Sequence, residues 1–329
     1  MTDSSQAICL IVQPIHSAGI TLLKESNVLP QFASADDMRT VATEIGQVNA
    51  VITRSAGLNK YAMQQAANLR VIGSHGVGVN AIDLGYASEL GIPVVNTPYA
   101  NVTSVAEVTV SLMLAVMKQL TIAERATREG NFEFKYTSDI RELTGKTVGI
   151  VGFGNIGKRV ADILRHAFQT SVLVYSPSAS ASDLAQKGMN KVTSLQTLLA
   201  TADIVSLHVP LTEQTHHLIG PTELACMKQH AILINTSRGD VIDEHALVDA
   251  LKTGTLAGAG LDVYHSENMP LDHPLLQVDN VVLTPHIAGS SQEALKRTAL
   301  TVCQQVIDVL AHKRPAHLVN PDIWVRRRT

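Results

Sequence analysis

Val148-Gly149-Ile150-Val151-Gly152-Phe153-Gly154-Asn155-Ile156-Gly157 is a short apolar run closed by a glycine-rich turn. Gly152, Gly154 and Gly157 carry the spacing GxGxxG, and a helix-compatible stretch follows at 158–168. Each glycine has a physical task in such a turn. Gly152 permits the tight bend, Gly154 lets the backbone approach a pyrophosphate, and Gly157 lets the helix pack on the strand. The helix N-terminus then turns N–H groups and a positive dipole end toward the phosphates, with Asn155 and Ile156 completing the loop. A glycine-rich turn alone can be purely structural. A strand directly before it and a helix directly after it favour a dinucleotide site.

Such loops are usually followed, about 20 residues on, by an acidic residue that bonds the adenosine ribose. Here the second strand ends at Tyr175, and the expected position holds Ser176. No carboxylate repels a 2′-phosphate there, and no Arg in SPSASAS (176–182) attracts one. The cofactor is therefore NAD or NADP, with the preference open.

Outward from this loop, apolar β-branched runs alternate with polar, helix-compatible stretches. Runs at 8–12, 50–53, 70–73 and 93–96 form one series, and runs at 147–151, 172–175, 204–207, 231–235, 258–262 and 281–284 form another. Strands alternating with helices make βαβ units and a parallel sheet. Strands that are apolar throughout fit a sheet covered on both faces. Between the series, 102–128 lacks Pro and Gly and predicts one long helical segment, buried or interfacial. A last helix over about 291–312 is long enough to cross back to the first domain. The expected fold class is α/β, with two Rossmann-like or flavodoxin-like domains, parallel sheets and a cleft between them. A discontinuous substrate-binding domain is expected at 1–100 plus 288–329, and a dinucleotide-binding domain at 101–287.

Composition excludes several classes. The 329 residues hold 26 Lys plus Arg against 29 Asp plus Glu, a net charge of −3, so no basic excess serves nucleic acid or a membrane surface. A hydrophobic fraction of 45% with 17% charged residues argues against disorder. Cys9, Cys226 and Cys303 are odd in number and scattered, which fits a reducing compartment rather than a disulfide framework or zinc site. No signal peptide and no run of ~20 apolar residues is present, so a cytoplasmic protein without membrane spans is expected. The pair His216-His217 has no second ligand cluster and reads as surface, so no metal is expected.

Three charged residues follow three expected strands of the second series. Arg238 follows 232–235, Glu267 follows 261–264, and His286 follows 282–285. Carboxyl ends of parallel strands are where open α/β sheets bind ligands. Reduction of a 2-oxo acid needs a carboxylate clamp, a proton donor and a hydride donor. Arg supplies a planar bidentate clamp, and His titrates near neutrality. A neighbouring carboxylate fixes the tautomer of His and favours its protonated form. Any one of the three can equally be a surface ion-pair partner or a helix cap. Three at successive strand ends behind a dinucleotide loop favour chemistry.

Eight stretches in order then resemble the D-isomer-specific 2-hydroxyacid dehydrogenase family. They are GVGVNAID (76–83), NVTSVAE (101–107), ELTGKTVGIVGFGNIG (142–157), HVPLTEQT (208–215), INTSRGDVIDE (234–244), LDVYHSE (261–267), LDHPLL (271–276) and TPHIAG (284–289). The resemblance implies that Arg238 binds the substrate carboxylate and carbonyl, that His286 is the general acid, and that Glu267 orients it. It implies a substrate loop at Val77 and Gly78, with Arg54, Ser55 and Ser74 close by. His75, beside that loop, either touches substrate or packs. Asp262 would hold the nicotinamide carboxamide. Thr109, His208, Val209, Pro210, Thr215, Thr236 and Gly289 would line the cofactor. The helix from about Asn101 forms the dimer interface in this family, which implies a homodimer.

The implied activity is NAD(P)-dependent interconversion of a small 2-oxo acid and its D-2-hydroxy acid, with glyoxylate or hydroxypyruvate favoured. The alternatives are a 3-phosphoglycerate dehydrogenase-like activity and a dinucleotide-sensing corepressor-type binding protein. The chain ends soon after its last domain-crossing helix, without the regulatory domain many phosphoglycerate dehydrogenases append. It also shows neither a long disordered extension nor a basic patch that would suit a corepressor. Against the family pattern, Asn80 stands for a frequent Asp, Phe132 for Trp, and Asn268 for Pro, and none of these removes a reacting group.

Overall fold

The computed structural model describes residues 6–266 and 269–329. Glu267 and Asn268, both singled out by the sequence, lie outside the described residues. The chain divides into two compact units, Met1–Asn101 with Gly289–Thr329, and Val102–Ala288.

The first unit is built on five strands: β1 (Ala7–Ile11), β2 (Val28–Phe32), β3 (Ala50–Thr53), β4 (Val71–Ser74) and β5 (Val94–Val95). They pair in the order β2-β1-β3-β4-β5, all parallel. Alternate residues of a strand face opposite sides of the sheet. Cys9, Ile11 and Ile52 accordingly pack against Leu23 and, from helix Gln292–Leu310, Val302, Cys303 and Val306. Leu10, Val51 and Ile72 pack on the other side against Val41, Ile45 and Met63. Both faces are covered, which is why these strands carry no alternating polar residues. β2 was not expected from the sequence. Its Pro30 argues against a central strand, and the structure places it at the sheet edge, where a missing N–H costs no ladder bond.

The second unit holds seven parallel strands: β6 (Thr147–Val151), β7 (Ser171–Tyr175), β8 (Asn190–Lys191), β9 (Ile204–Leu207), β10 (Ile232–Asn235), β11 (Gly258–Leu261) and β12 (Val281–Leu283). Their order is β12-β11-β10-β9-β6-β7-β8. Val148 and Ile150 face Met113 and Leu164 on one side. Val151, Val205 and Leu233 face Leu198 and Leu247 on the other.

The expected single helix over 102–128 is broken. Helix Val102–Met117 ends, and Leu120–Arg128 leaves it at 58°. Gln119 turns into the left-handed region at φ 49°, and the Met117 carbonyl accepts the amide of Arg141 at 2.9 Å instead of continuing the helix. The break falls where burial stops, since Leu112, Met113 and Met117 are core residues while Leu120 is exposed. No single helix among the described residues is long and apolar enough to cross a membrane.

Candidate active site

β6 runs into the glycine loop, and helix Asn155–Phe168 starts directly behind it with Gly154 as its N-cap. Gly152 adopts φ +92° and donates its amide to Tyr175 O at 2.9 Å. A Cβ there would stand 2.5 Å from the carbonyl oxygen of His208, so only glycine fits. Gly157 is held against the Gly152 carbonyl in the same way. Gly154 is different. Its φ of −75° suits any residue, and a Cβ would meet nothing within 4 Å. Neither conformation nor packing demands glycine there, and the free space beside the backbone fits a pyrophosphate at a helix N-terminus.

His208 backs this loop. Its amide donates to Val151 O at 2.7 Å, and its Nε2 lies 2.9 Å from the hydroxyl of buried Ser206. Burial pushes its pKa down to about 3, so the ring is neutral at ordinary pH. The remaining expected cofactor residues brace one another. Thr109 Oγ1 and Thr236 Oγ1 are 2.8 Å apart. Thr215 Oγ1 donates to Pro210 O at 2.6 Å, closing the turn after Val209. Ser176 is buried at the end of β7, its hydroxyl 3.4 Å from that of Ser178. Gly289, expected beside them, belongs to the first unit, where it lies against the Asn101 side chain.

Arg238 and His286 follow β10 and β12, the two neighbours of β11. Asn235, Leu261 and Leu283 share one register row, so Thr236, Asp262 and Thr284 come next in line at the carboxyl edge. Two side chains that the sequence did not single out shape the loops. Buried Asn235 donates its amide to Arg238 O at 2.8 Å and accepts from Ser237 N at 2.9 Å, fixing the turn that presents Arg238. Tyr264 donates its hydroxyl to Thr284 O at 2.8 Å, and burial with the Asp262 carboxylate nearby pushes its pKa to about 12.

Asp262 is fully buried and holds the His286 loop. One oxygen accepts from Thr284 Oγ1 at 2.6 Å and Ile287 N at 2.8 Å, and the other from Ala288 N at 2.8 Å. His286 itself sits at φ 53°, a left-handed conformation that disfavours a side chain by about 1 kcal/mol. The bonds from Asp262 to the next two amides hold it there. A carboxylate has roughly four acceptor directions, so about one is left for a carboxamide.

In the first unit, the loop after β4 is tied down by its carbonyls. Gly76 O accepts from Thr97 N at 2.9 Å, Val77 O from Asn96 Nδ2 at 2.7 Å, and Gly78 O from Ser74 Oγ at 2.8 Å. In a trans peptide the N–H points opposite to the carbonyl. The amides of Val77 and Gly78 therefore face away from these anchors, as an anion cradle requires. His75 is buried, its Nε2 has no hydrogen-bond partner, and burial together with the Arg54 charge pushes its pKa down to about 4. Gln13, also missed, accepts from Arg54 N at 3.2 Å and Ala56 N at 2.9 Å and donates to Ser55 Oγ at 3.1 Å. Asn96 and Gln13 are polar residues distant in sequence from what they brace, so no local pattern marks them.

His216 and His217 stack with ring centroids 4.0 Å apart, and no group of three or more metal-ligating side chains is assembled among the described residues.

The chain is similar to known proteins. The family described as "D-isomer specific 2-hydroxyacid dehydrogenase, NAD binding domain" matches residues 110–288. A D-3-phosphoglycerate dehydrogenase of Archaeoglobus fulgidus is 37% identical over 301 residues, 91% of this chain. The chain spans only 56% of that relative's length. A glyoxylate reductase of Thermofilum pendens is 42% identical over 264 residues, 79% of this chain and 78% of its own. The crystal structure of an NADPH-dependent glyoxylate/hydroxypyruvate reductase from Sinorhizobium meliloti, in complex with NADP and malonate, superposes with a TM-score of 0.86 at 27% identity, covering 99% of each chain.

Proposed function

Because this chain belongs to the D-isomer specific 2-hydroxyacid dehydrogenase family, we propose that it interconverts a small 2-oxo acid and its D-2-hydroxy acid, with NAD or NADP as cofactor. The observation that carries this reading is the pair of braced loops after β10 and β12, which present an arginine and a histidine at the carboxyl edge of the sheet that also carries the glycine loop. Arg238 clamps the substrate carboxylate with its planar fork and stabilises charge growing on the carbonyl oxygen. His286 gives that oxygen its proton in reduction and removes it in oxidation. Glu267 is assigned to orienting His286, and the amides of Val77 and Gly78 to the substrate carboxylate. Gly152, Gly154, Gly157 and the helix behind them hold the pyrophosphate, while the remaining acceptor direction of Asp262 takes the carboxamide. When bound, the nicotinamide supplies or accepts the hydride.

Glyoxylate and hydroxypyruvate are the favoured substrates, supported by the likeness to the reductases of T. pendens and S. meliloti. In this reading the working form is a homodimer in the cytoplasm. Exposed Phe132 and Tyr136 support the first, and the free thiols of Cys9, Cys226 and Cys303 support the second. The test follows the near-ultraviolet absorbance of NADH and NADPH against a panel of 2-oxo acids that includes glyoxylate, hydroxypyruvate and a phosphorylated analogue. Turnover of the small acids is expected. Cofactor binding without turnover of any 2-oxo acid would replace this reading with that of a binding protein.

A further inference from the structure

We propose that Lys191, with Ser176 and Ser178, forms a pocket for the adenosine 2′-phosphate, so that this chain takes NADPH in preference to NADH. The inference rests on the reading that the glycine loop holds a dinucleotide.

A dinucleotide on this sheet presents its adenosine ribose to the end of β7. A carboxylate there would hold both ribose hydroxyls and repel a phosphate, but Ser176 occupies the position. The stretch 176–182 holds no cation of its own. The fold brings one from elsewhere. β8 pairs with β7 in parallel, and Lys191 stands opposite Val174, next to the end of β7. From there its Nζ donates to the carbonyl of Ala179 at 2.5 Å, inside the loop that follows Ser176.

The chemistry of that ammonium points to an anion. It is partly buried, and among the described residues no carboxylate pairs with it. An ammonium has three N–H donors. One serves Ala179, and two remain for a ligand. Drawing a charge partly out of water without a counter-ion is costly, and an arriving phosphate dianion offsets that cost. The two serine hydroxyls add neutral donors. Ser176 and Ser178 share a long contact of 3.4 Å, so either can rotate toward a phosphate oxygen. The nearest acidic residue in sequence, Asp183, is exposed in the first turn of the short helix Ala181–Gln186, with its amide bonded to Ser180 Oγ.

The experiment is calorimetric titration of the full chain with NADPH, NADH and adenosine 2′,5′-bisphosphate, on the wild type, Lys191→Met and Ser176→Asp. NADPH should bind more tightly than NADH, and the bisphosphate should compete with it. Losing a hydrogen bond to a charged group should lower the NADPH-to-NADH affinity ratio of Lys191→Met by about tenfold. Ser176→Asp should reverse the preference, and it tests the same pocket if Lys191→Met fails to fold by circular dichroism. Equal binding of the two dinucleotides by the wild type, or an unchanged ratio in a folded variant, overturns this inference and leaves the dehydrogenase reading standing. Binding of neither dinucleotide overturns both.

Discussion

Asp262 shows how one side chain can serve chemistry by holding backbone. Its two oxygens accept three hydrogen bonds from the segment that carries His286. Asp262→Asn keeps the shape but turns an NH2 group toward one of these donors. We expect a loss of about 2–3 kcal/mol in stability and, because His286 shifts, a fall in kcat of roughly a hundredfold. Thermal unfolding and steady-state kinetics check the two parts separately. Arg238→Ala and His286→Ala should each remove most turnover while leaving the unfolding temperature close to that of the parent. Full activity in either variant would remove that residue from the mechanism. The neutral buried histidines make a different prediction. His75 and His208 have pKa values pushed down from 6.5 to about 4 and about 3. Well above pH 6.5 both are neutral whether folded or unfolded. Below that, the unfolded chain binds protons that the folded chain refuses, so stability falls with falling pH. The slope reaches about 1.4 kcal/mol per pH unit for each histidine. His208→Gln should remove one proton from this slope, measured by urea unfolding over an acidic pH series. An unchanged slope would show that the native state accommodates the charged ring.

At the scale of elements, the two ends of the second sheet have separate tasks. Arg238, Asp262 and His286 follow the carboxyl ends of their strands, while Asp203 precedes β9 at the opposite end. Asp203 Oδ2 accepts from Thr147 N at 2.9 Å, and Oδ1 accepts from Lys228 Nζ at 2.9 Å. Partial burial raises its pKa, but the Thr147 amide, Lys228 and His230 outweigh that and hold it below the usual carboxylate range. Asp203→Ala leaves the start of β6 without a partner, at a cost of about 1–3 kcal/mol. We expect a lower unfolding temperature with kcat per folded molecule unaltered, since the change lies a full strand length from the glycine loop. Elements that the sequence missed share one property. β2 carries Pro30, and β8 is two polar residues, so neither shows the apolar run that marks a central strand. Edge strands are specified by a neighbour's free hydrogen-bonding groups rather than by their own pattern.

For the molecule as a whole, the large apolar side chains left exposed bear on assembly. Between the helix break and β6, Leu120, Phe132, Tyr136 and Ile140 are 51%, 66%, 73% and 47% exposed. Large apolar side chains left exposed along one stretch of chain mark a candidate interaction surface, and a second copy is the expected partner. Sedimentation should give twice the chain mass, and Phe132→Asp with Tyr136→Asp should give the monomer; a monomeric parent would refute the dimer. The α/β class, the parallel sheets, the glycine loop and the Arg238 and His286 positions were all legible in the sequence. They rest on local signals, namely apolar runs, glycine spacing and residues just past strand ends. The sequence could not show that Asn235, Gln13, Asn96 and Tyr264 brace the functional loops, that the long helix breaks at Gln119, or that Lys191 reaches the loop after β7. Apart from the bonds of Asn235 to Ser237 and Arg238, which depend on the shape of the turn, each depends on hydrogen bonds between residues far apart along the chain. Such contacts leave no periodic trace, because a polar side chain finds its distant partner only once the sheets have set their order and register.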